Sequence, residues 1–329
     1  MKSIILNFPK QLEEGFSAAK NTGKEFRDQK IGSILICGMG GSALPGELLK
    51  ILISPSKIKI PVLIHRDYTL PSSIDDNGLL VFISYSGNTE ETLSAFKIAS
   101  EKKLNMAAIT SGGELEKKCK ENNVPVAIVA KGIAPRMALG YQFSALLKIL
   151  ENAGVITDIE KYVLEGAAEL SQEALEKEGK ILSEKIGNKI PLIYSPRAYA
   201  PLAYIFKILL NENSKIPAFL NYFPEMCHNE IQAFNLPDDR FTVLILKAED
   251  EHKYGRIGKV VDASADIINS RNFPLNFVIV RREGKNIFKD ILGSIVLFYW
   301  TTFYLAEKKG IDPLENKLID EFKKKLKEP

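Results

Sequence analysis

No stretch of this chain stays apolar for long. The longest late run, Ile291 to Phe303, is interrupted by Gly293, Ser294, Thr301 and Thr302, and it falls short of the roughly 20 residues that a bilayer-spanning helix needs. At the start, the apolar run within Met1 to Phe8 is too short for a secretory signal and has no small-residue cleavage site after it. A cytoplasmic, unprocessed protein is the expectation. Cysteine is sparse: Cys37, Cys119 and Cys227 are odd in number, widely spaced and contain no Cys-x-x-Cys pair. That argues against a disulfide framework and fits a reducing compartment. The three histidines, His65, His228 and His252, lack any zinc-holding spacing with cysteine or carboxylate, so no metal is expected. A large excess of one charge sign is missing too. The 44 basic and 41 acidic residues leave a net charge of +3 and are interspersed except for the run Lys323 to Lys325. That balance is too even for a nucleic-acid footprint, whereas a small anion needs only a local positive pocket.

What is present is the makings of two globular cores. A length of 329 residues with 45% hydrophobic side chains suits two α/β-sized domains. After an amphipathic helix around Lys10 to Arg27, the short apolar runs Ser33–Cys37, Pro61–Ile64, Leu79–Ser84, Met106–Ile109 and Pro125–Val129 are interleaved with helical patterns at 43–52 and 90–102. Such runs predict parallel strands buried on both faces. The pattern restarts with Pro191–Tyr194, Ala218–Leu220, Phe241–Leu246 and Phe277–Val280, with helices through about Leu210, near 254–268 and over 287–309. The fold class expected is therefore α/β, two copies of one doubly wound unit, over residues 1–152 and 153–329. Asp312-Pro313 reads as the N-cap and first residue of a last helix.

The segment Ser84-Tyr85-Ser86-Gly87-Asn88-Thr89 links a buried strand directly to a helix, so its hydroxyls and the free N–H groups of the helix start converge where the dipole is positive. A plain cap by Thr89 would explain one hydroxyl. Three hydroxyls and a glycine point to a phosphate. The turn Gly38-Met39-Gly40-Gly41-Ser42 after the first strand could open a dinucleotide fingerprint, but Leu44 and Pro45 stand in the third-glycine region and Asp67 lies beyond the expected acidic spacing. Backbone approach to a ligand, with Ser42 donating, explains the same residues without a nicotinamide cofactor, and no cofactor is expected. Arg136, in Ile133-Ala134-Pro135-Arg136, would stand at the C-terminal sheet edge, where it could polarise a carbonyl or hold enediolate charge.

His228 lies in the polar cluster Pro224-Glu225-Met226-Cys227-His228-Asn229-Glu230, which suits an acid/base group. The residues alone do not choose among Glu212, Glu225 and Glu230 as a base. In the last helix Asn316, Ile319 and Lys323 share one face, beside an expected core stripe of Leu314, Leu318, Phe322 and Leu326, so that Lys323 could reach a site. With Lys324, Lys325 and Lys327 beside it, Lys323 could equally belong to a solvated face.

Together these motifs resemble the bifunctional phosphoglucose/phosphomannose isomerases, which carry two sugar isomerase (SIS) domains. The resemblance spans residues 30 to 325. It implies that Gly41, Ser42, Ser84, Ser86 and Thr89 hold the substrate, chiefly its phosphate, and that Arg136 lies at the reacting carbons. It further implies Glu212, sixteen residues before the histidine, as the base between C2 and C1. His228 would open the sugar ring, reaching across a homodimer interface into the partner's site, and Lys323 would assist at the ring oxygen. Asn316 stands where the family often has threonine, which bears on the preference between C2 epimers. No nucleic acid or membrane partner is implied. Other readings are a different SIS sugar-phosphate isomerase, an amino-sugar phosphate deaminase, or a non-catalytic sugar-phosphate sensor. The first two share the Ser84 loop without needing His228-Asn229-Glu230 and Lys323, and the sensor would need a DNA-binding module that is not evident.

Overall fold

The apolar runs at 34–37 and 79–83 become fully buried strands, whereas those at 62–65, 126–128 and 219–223 are only partly covered, with Leu63, Ile128 and Phe219 exposed. In the computed structural model, which describes residues 1–53, 58–72, 74–75, 77–236, 238–249, 255–281 and 286–326, the chain divides into two compact units, Leu6–Leu170 and Met1–Ile5 with Ser171–Pro329. A short helix, Lys2–Leu6 (α1), opens the chain. The first unit contains the helix Phe8–Ala18 (α2), then Ile34–Cys37 (β1), Leu44–Ile53 (α3), Val62–His65 (β2), Leu79–Ile83 (β3), Glu90–Glu101 (α4) and Asn105–Thr110 (β4). Gly113–Glu121 (α5), Val126–Ile128 (β5), Leu139–Asn152 (α6) and Ile159–Ala168 (α7) complete it. Every residue of β1 and of β3 is buried, as a strand covered on both faces requires. The five strands are parallel in the order β2-β1-β3-β4-β5.

The second unit repeats the plan. Gln172–Ile186 (α8), Ile190–Pro196 (β6), Ala200–Asn213 (α9), Phe219–Phe223 (β7), Phe241–Ala248 (β8), Arg256–Ser270 (α10) and Leu275–Arg281 (β9) give a parallel sheet in the order β7-β6-β8-β9. Ile287–Lys308 (α11) packs on α8 and α9, and Lys317–Lys325 (α12) follows. In both units the second strand lies outside the first and the third lies on its other side. That reversal opens a crevice at the C-terminal strand ends.

Three expectations change. The long first helix stops at Ala18 because Asn152 Nδ2 takes the carbonyls of Ala19 and Thr22, at 3.1 and 2.8 Å, which a continuing helix would have used. The last helix begins at Lys317 rather than Pro313, because the Asp312 carboxylate accepts from Leu314 N in a local turn at 2.8 Å. Its apolar stripe is not core: Leu318, Phe322 and Leu326 are exposed and α12 buries nothing. The join expected at 152/153 falls ahead of α7, which packs on α2 and α6. His252 and Lys327, and the Tyr254 start expected for α10, lie outside the described residues. Among the described residues no helix is long and apolar enough to cross a membrane.

Candidate active site

In the first unit the chain leaves β1 and β3 side by side at the crevice. After β1 a 3-10 turn, Gly40–Ala43, brings Gly41 onto the backbone of Pro135 and Arg136 so closely that any β-carbon at 41 would collide with it. Ser42 is buried, and its Oγ accepts from Tyr85 N at 3.0 Å. This bond ties the β1 turn to the segment after β3. There the buried Ser84 Oγ and Thr89 Oγ1 are hydrogen-bonded at 2.9 Å. Thr89 occupies the N-cap position of α4 with extended backbone, yet its side chain makes no capping bond. Thr89 is instead paired with Ser84, and no side chain caps the positive end of α4. Ser86 is exposed at the tip of the loop, and its Oγ accepts from Asn88 N at 3.3 Å.

The loop is braced from behind. Gly87 has φ +72°, and a β-carbon on it would lie 1.8 Å from the Gly112 carbonyl oxygen, so glycine is required on both counts. Ser111 donates to the Tyr85 carbonyl from N and Oγ, at 3.0 and 2.6 Å, and Glu114 N donates to Asn88 Oδ1 at 3.1 Å.

Arg136 sits in the 3-10 turn Pro135–Met137, one turn ahead of α6, and is 1% exposed. A guanidinium buried that far is tolerated only when hydrogen-bonded or paired, which rules out the reading of a bland surface arginine. Gln142, fully buried on α6, steadies the turn by donating from Nε2 to Pro135 O at 3.0 Å. The sequence reading missed Gln142. The signal was there, an amide in the middle of an apolar helical pattern. The six first-unit residues, Gly41, Ser42, Ser84, Ser86, Thr89 and Arg136, thus lie on segments that follow β1, β3 and β5 at one sheet edge.

In the second unit Glu212 stands in the last turn of α9, half-buried, on a cleft of about 560 Å³ shared with Lys215, Ile216, Asn316 and Ile319. Its backbone is fixed by its neighbours. Asn213 Nδ2 donates to Thr302 Oγ1 and Ser214 Oγ to Thr302 O, both at 3.0 Å and fully buried on α11. Lys215 Nζ donates to the carbonyls of Glu212 and Glu315, which joins the end of α9 to the start of α12. Lys323 does not line this cleft and is exposed along α12.

The other two glutamates are engaged elsewhere. Glu230 accepts from Tyr194 Oη at 2.9 Å and from Asn221 Nδ2 at 2.8 Å, and Glu225 Oε1 accepts from Asn229 Nδ2 at 2.8 Å. His228 is exposed in a 3-10 turn beyond the end of β7. Glu212 precedes the start of the same strand. The five residues of β7, roughly 17 Å of extended chain, thus run between the end of α9 that carries Glu212 and the turn that carries His228. Among the described residues no three histidine, cysteine or carboxylate side chains are grouped to hold a metal.

Residues 25–124 match the SIS domain family, and residues 175–326 match the bacterial phospho-glucose isomerase C-terminal SIS domain. Over all of this chain and 99% of the relative, the sequence is 34% identical to the bifunctional phosphoglucose/phosphomannose isomerase of Caldicellulosiruptor bescii. It is 35% identical to the enzyme of the same name from Aquifex aeolicus, over 89% of this chain and 90% of that one. The solved tagatose-6-phosphate ketose/aldose isomerase of Escherichia coli shares the fold at a TM-score of 0.70 and 14% identity, covering 94% of each chain. Full-length identity, a repeated parallel sheet and an uncapped serine/threonine loop agree, and the chain belongs to the family of bifunctional phosphoglucose/phosphomannose isomerases.

Proposed function

We propose that this protein interconverts fructose 6-phosphate with both glucose 6-phosphate and mannose 6-phosphate, by proton transfer through a cis-enediol(ate). The observation that carries the reading is the N-terminus of α4, left without a side-chain cap beneath Ser84, Ser86 and Thr89 in the unit that also buries Arg136. That arrangement suits a phosphodianion remote from the reacting carbons, whose binding energy can be used to position them. In this reading Gly41, Ser42, Ser84, Ser86 and Thr89 hold the substrate, and Arg136 stabilises enediolate charge. Glu212 moves the proton between C2 and C1. Both aldoses give one enediol, so one site serves both.

His228 opens the ring and is contributed by the partner of a homodimer. The reading is supported by the placement of Glu212 in the last turn of α9, ahead of β7, and of His228 in the turn beyond its end. Lys323 assists at the ring oxygen, an assignment that rests on the family resemblance alone. The chemistry needs no metal or redox cofactor, because a carboxylate, an imidazole and a guanidinium supply every proton and charge required.

The test is a coupled assay of the purified protein with fructose 6-phosphate and each aldose in the presence of a chelator. Turnover of both aldoses is expected. Loss of activity on removing metal would refute the mechanism, and turnover of one aldose alone, or of glucosamine 6-phosphate in place of both, would refute the specificity.

A further inference from the structure

The turn that carries His228 is pinned on both sides. Two residues before it, Met226 is fully buried in a cluster with Phe223, Phe234 and Val243. Two residues after it, both carboxylate oxygens of Glu230 are occupied, Oε2 by Tyr194 Oη at 2.9 Å and Oε1 by Asn221 Nδ2 at 2.8 Å. Tyr194 is itself immobilised: 2% exposed, with its ring packed on Phe223 and Phe234 at centroid distances of 6.2 Å each. Between these anchors Asn229 closes the turn, donating from Nδ2 to Glu225 Oε1 at 2.8 Å and accepting at Oδ1 from Glu230 N at 2.6 Å. His228 nonetheless stays exposed, and no described residue hydrogen-bonds its imidazole. An exposed side chain on so tightly held a backbone has little freedom beyond its own rotamers.

Resting on the reading of His228 as the ring-opening group, we infer that Glu230 is a positioning residue and not a proton carrier. With Tyr194 on β6 and Asn221 on β7 it forms a latch that fixes the direction in which the His228 turn presents its imidazole. Although Glu230 is itself exposed, each of its carboxylate oxygens already accepts from a different strand, β6 through Tyr194 and β7 through Asn221. Misplacement of a reacting group by about an ångström can cost about a hundredfold in rate. Such a latch therefore has a kinetic consequence without touching the sugar.

The experiment separates ring opening from proton transfer. Ring opening is followed by NMR as enzyme-dependent interconversion of the α and β anomers of glucose 6-phosphate. Proton transfer is followed as exchange of the reacting carbon-bound proton of fructose 6-phosphate with solvent. Tyr194→Phe and Glu230→Ala are expected to slow ring opening by about tenfold or more, with KM within about twofold and proton exchange largely kept. Glu230→Gln is expected to restore most of the rate, since its amide can accept from Asn221 and donate to Tyr194 Oη. His228→Ala is the reference. If it leaves ring opening intact, the histidine reading falls and takes the latch with it. If it abolishes ring opening while Tyr194→Phe and Glu230→Ala do not, only the latch is overturned. A Glu230→Gln variant as slow as Glu230→Ala would make Glu230 a proton carrier and overturn the inference. Retained proton exchange in each variant shows that the protein is folded.

Discussion

A β-carbon placed on Gly41 would stand 2.5 Å from the backbone nitrogen of Arg136. The obstacle is backbone, which cannot swing aside as the end of a side chain can. The turn after β1 and the turn before α6 therefore hold their spacing only while residue 41 is glycine. Gly41→Ala is expected to move the Arg136 guanidinium and to lower kcat/KM by about a hundredfold, with a smaller change in thermal stability. Steady-state kinetics with both aldose phosphates and a melting curve check this, and an unchanged kcat/KM would mean that the turn has room to spare.

Ser84 and Thr89 share one hydrogen bond, so each hydroxyl is oriented before a ligand arrives. Ser84→Ala and Thr89→Val are expected to raise the inhibition constant of inorganic phosphate by about tenfold each, the scale of one hydrogen bond to a charged group. The same constant measured for Ser86→Ala reports on the exposed tip of the loop. If none of the three weakens phosphate, the anion binds elsewhere.

The separation of Glu212 and His228 along β7 gives a mixing experiment. With cyclic glucose 6-phosphate as substrate, Glu212→Gln and His228→Ala proteins are each expected to show little turnover, the first for want of the base and the second for want of ring opening. Exchanging their subunits should recover about a quarter of wild-type activity, because half of the dimers become mixed and each mixed dimer rebuilds one site of two. A mixture that stays inactive would place both residues in one subunit's site.

Lys215 fastens α12 to α9 through the Glu315 carbonyl, and α12 buries no residue of its own. Removing the ammonium in Lys215→Met is expected to speed trypsin cleavage at Lys323, Lys324 and Lys325 several-fold, since cleavage needs the helix to open. Mass spectrometry of the early fragments reads this out. An unchanged rate would mean that another contact holds the helix.

Glu176 accepts from Lys2 Nζ at 2.9 Å and from Tyr304 Oη at 2.7 Å, and the lysine first of all holds its carboxyl below the usual carboxylate range. A carboxylate that ionises more readily folded than unfolded stabilises the protein above the ordinary pKa and loses that contribution as pH falls through the lowered value. The pair is partly exposed, so the effect is modest. Glu176→Gln is expected to lower Tm by about 2 °C at pH 7, with the gap closing below about pH 4. An equal gap at both pH values would show that packing, not charge, is responsible.

The loop from Ser84 to Thr89 was legible because its chemistry is local: a strand, three hydroxyls, a glycine and a helix start lie within a few residues. The strand runs were legible for the same reason. Gly41 was read as a residue near the ligand, and the sequence could not show that its tightest neighbour is Arg136, far along the chain. Tyr194 and Glu230 were likewise too distant in sequence to be paired. For α12 the apolar spacing was real, but periodicity tells which face is apolar and not whether anything covers it.

The phosphate cradle proposed here would consist of backbone amides and hydroxyls, and geometry does not titrate. None of Ser84, Ser86 and Thr89 ionises near neutrality, and the one acid in the loop, the Tyr85 phenol, is pushed further up by burial. Across the range from pH 5 to pH 8 the proton that governs occupancy therefore belongs to the ligand, the second one of the phosphate, with a pKa of about 6. The enzyme would then discriminate between sugar phosphates and neutral sugars by a charge it never has to adjust.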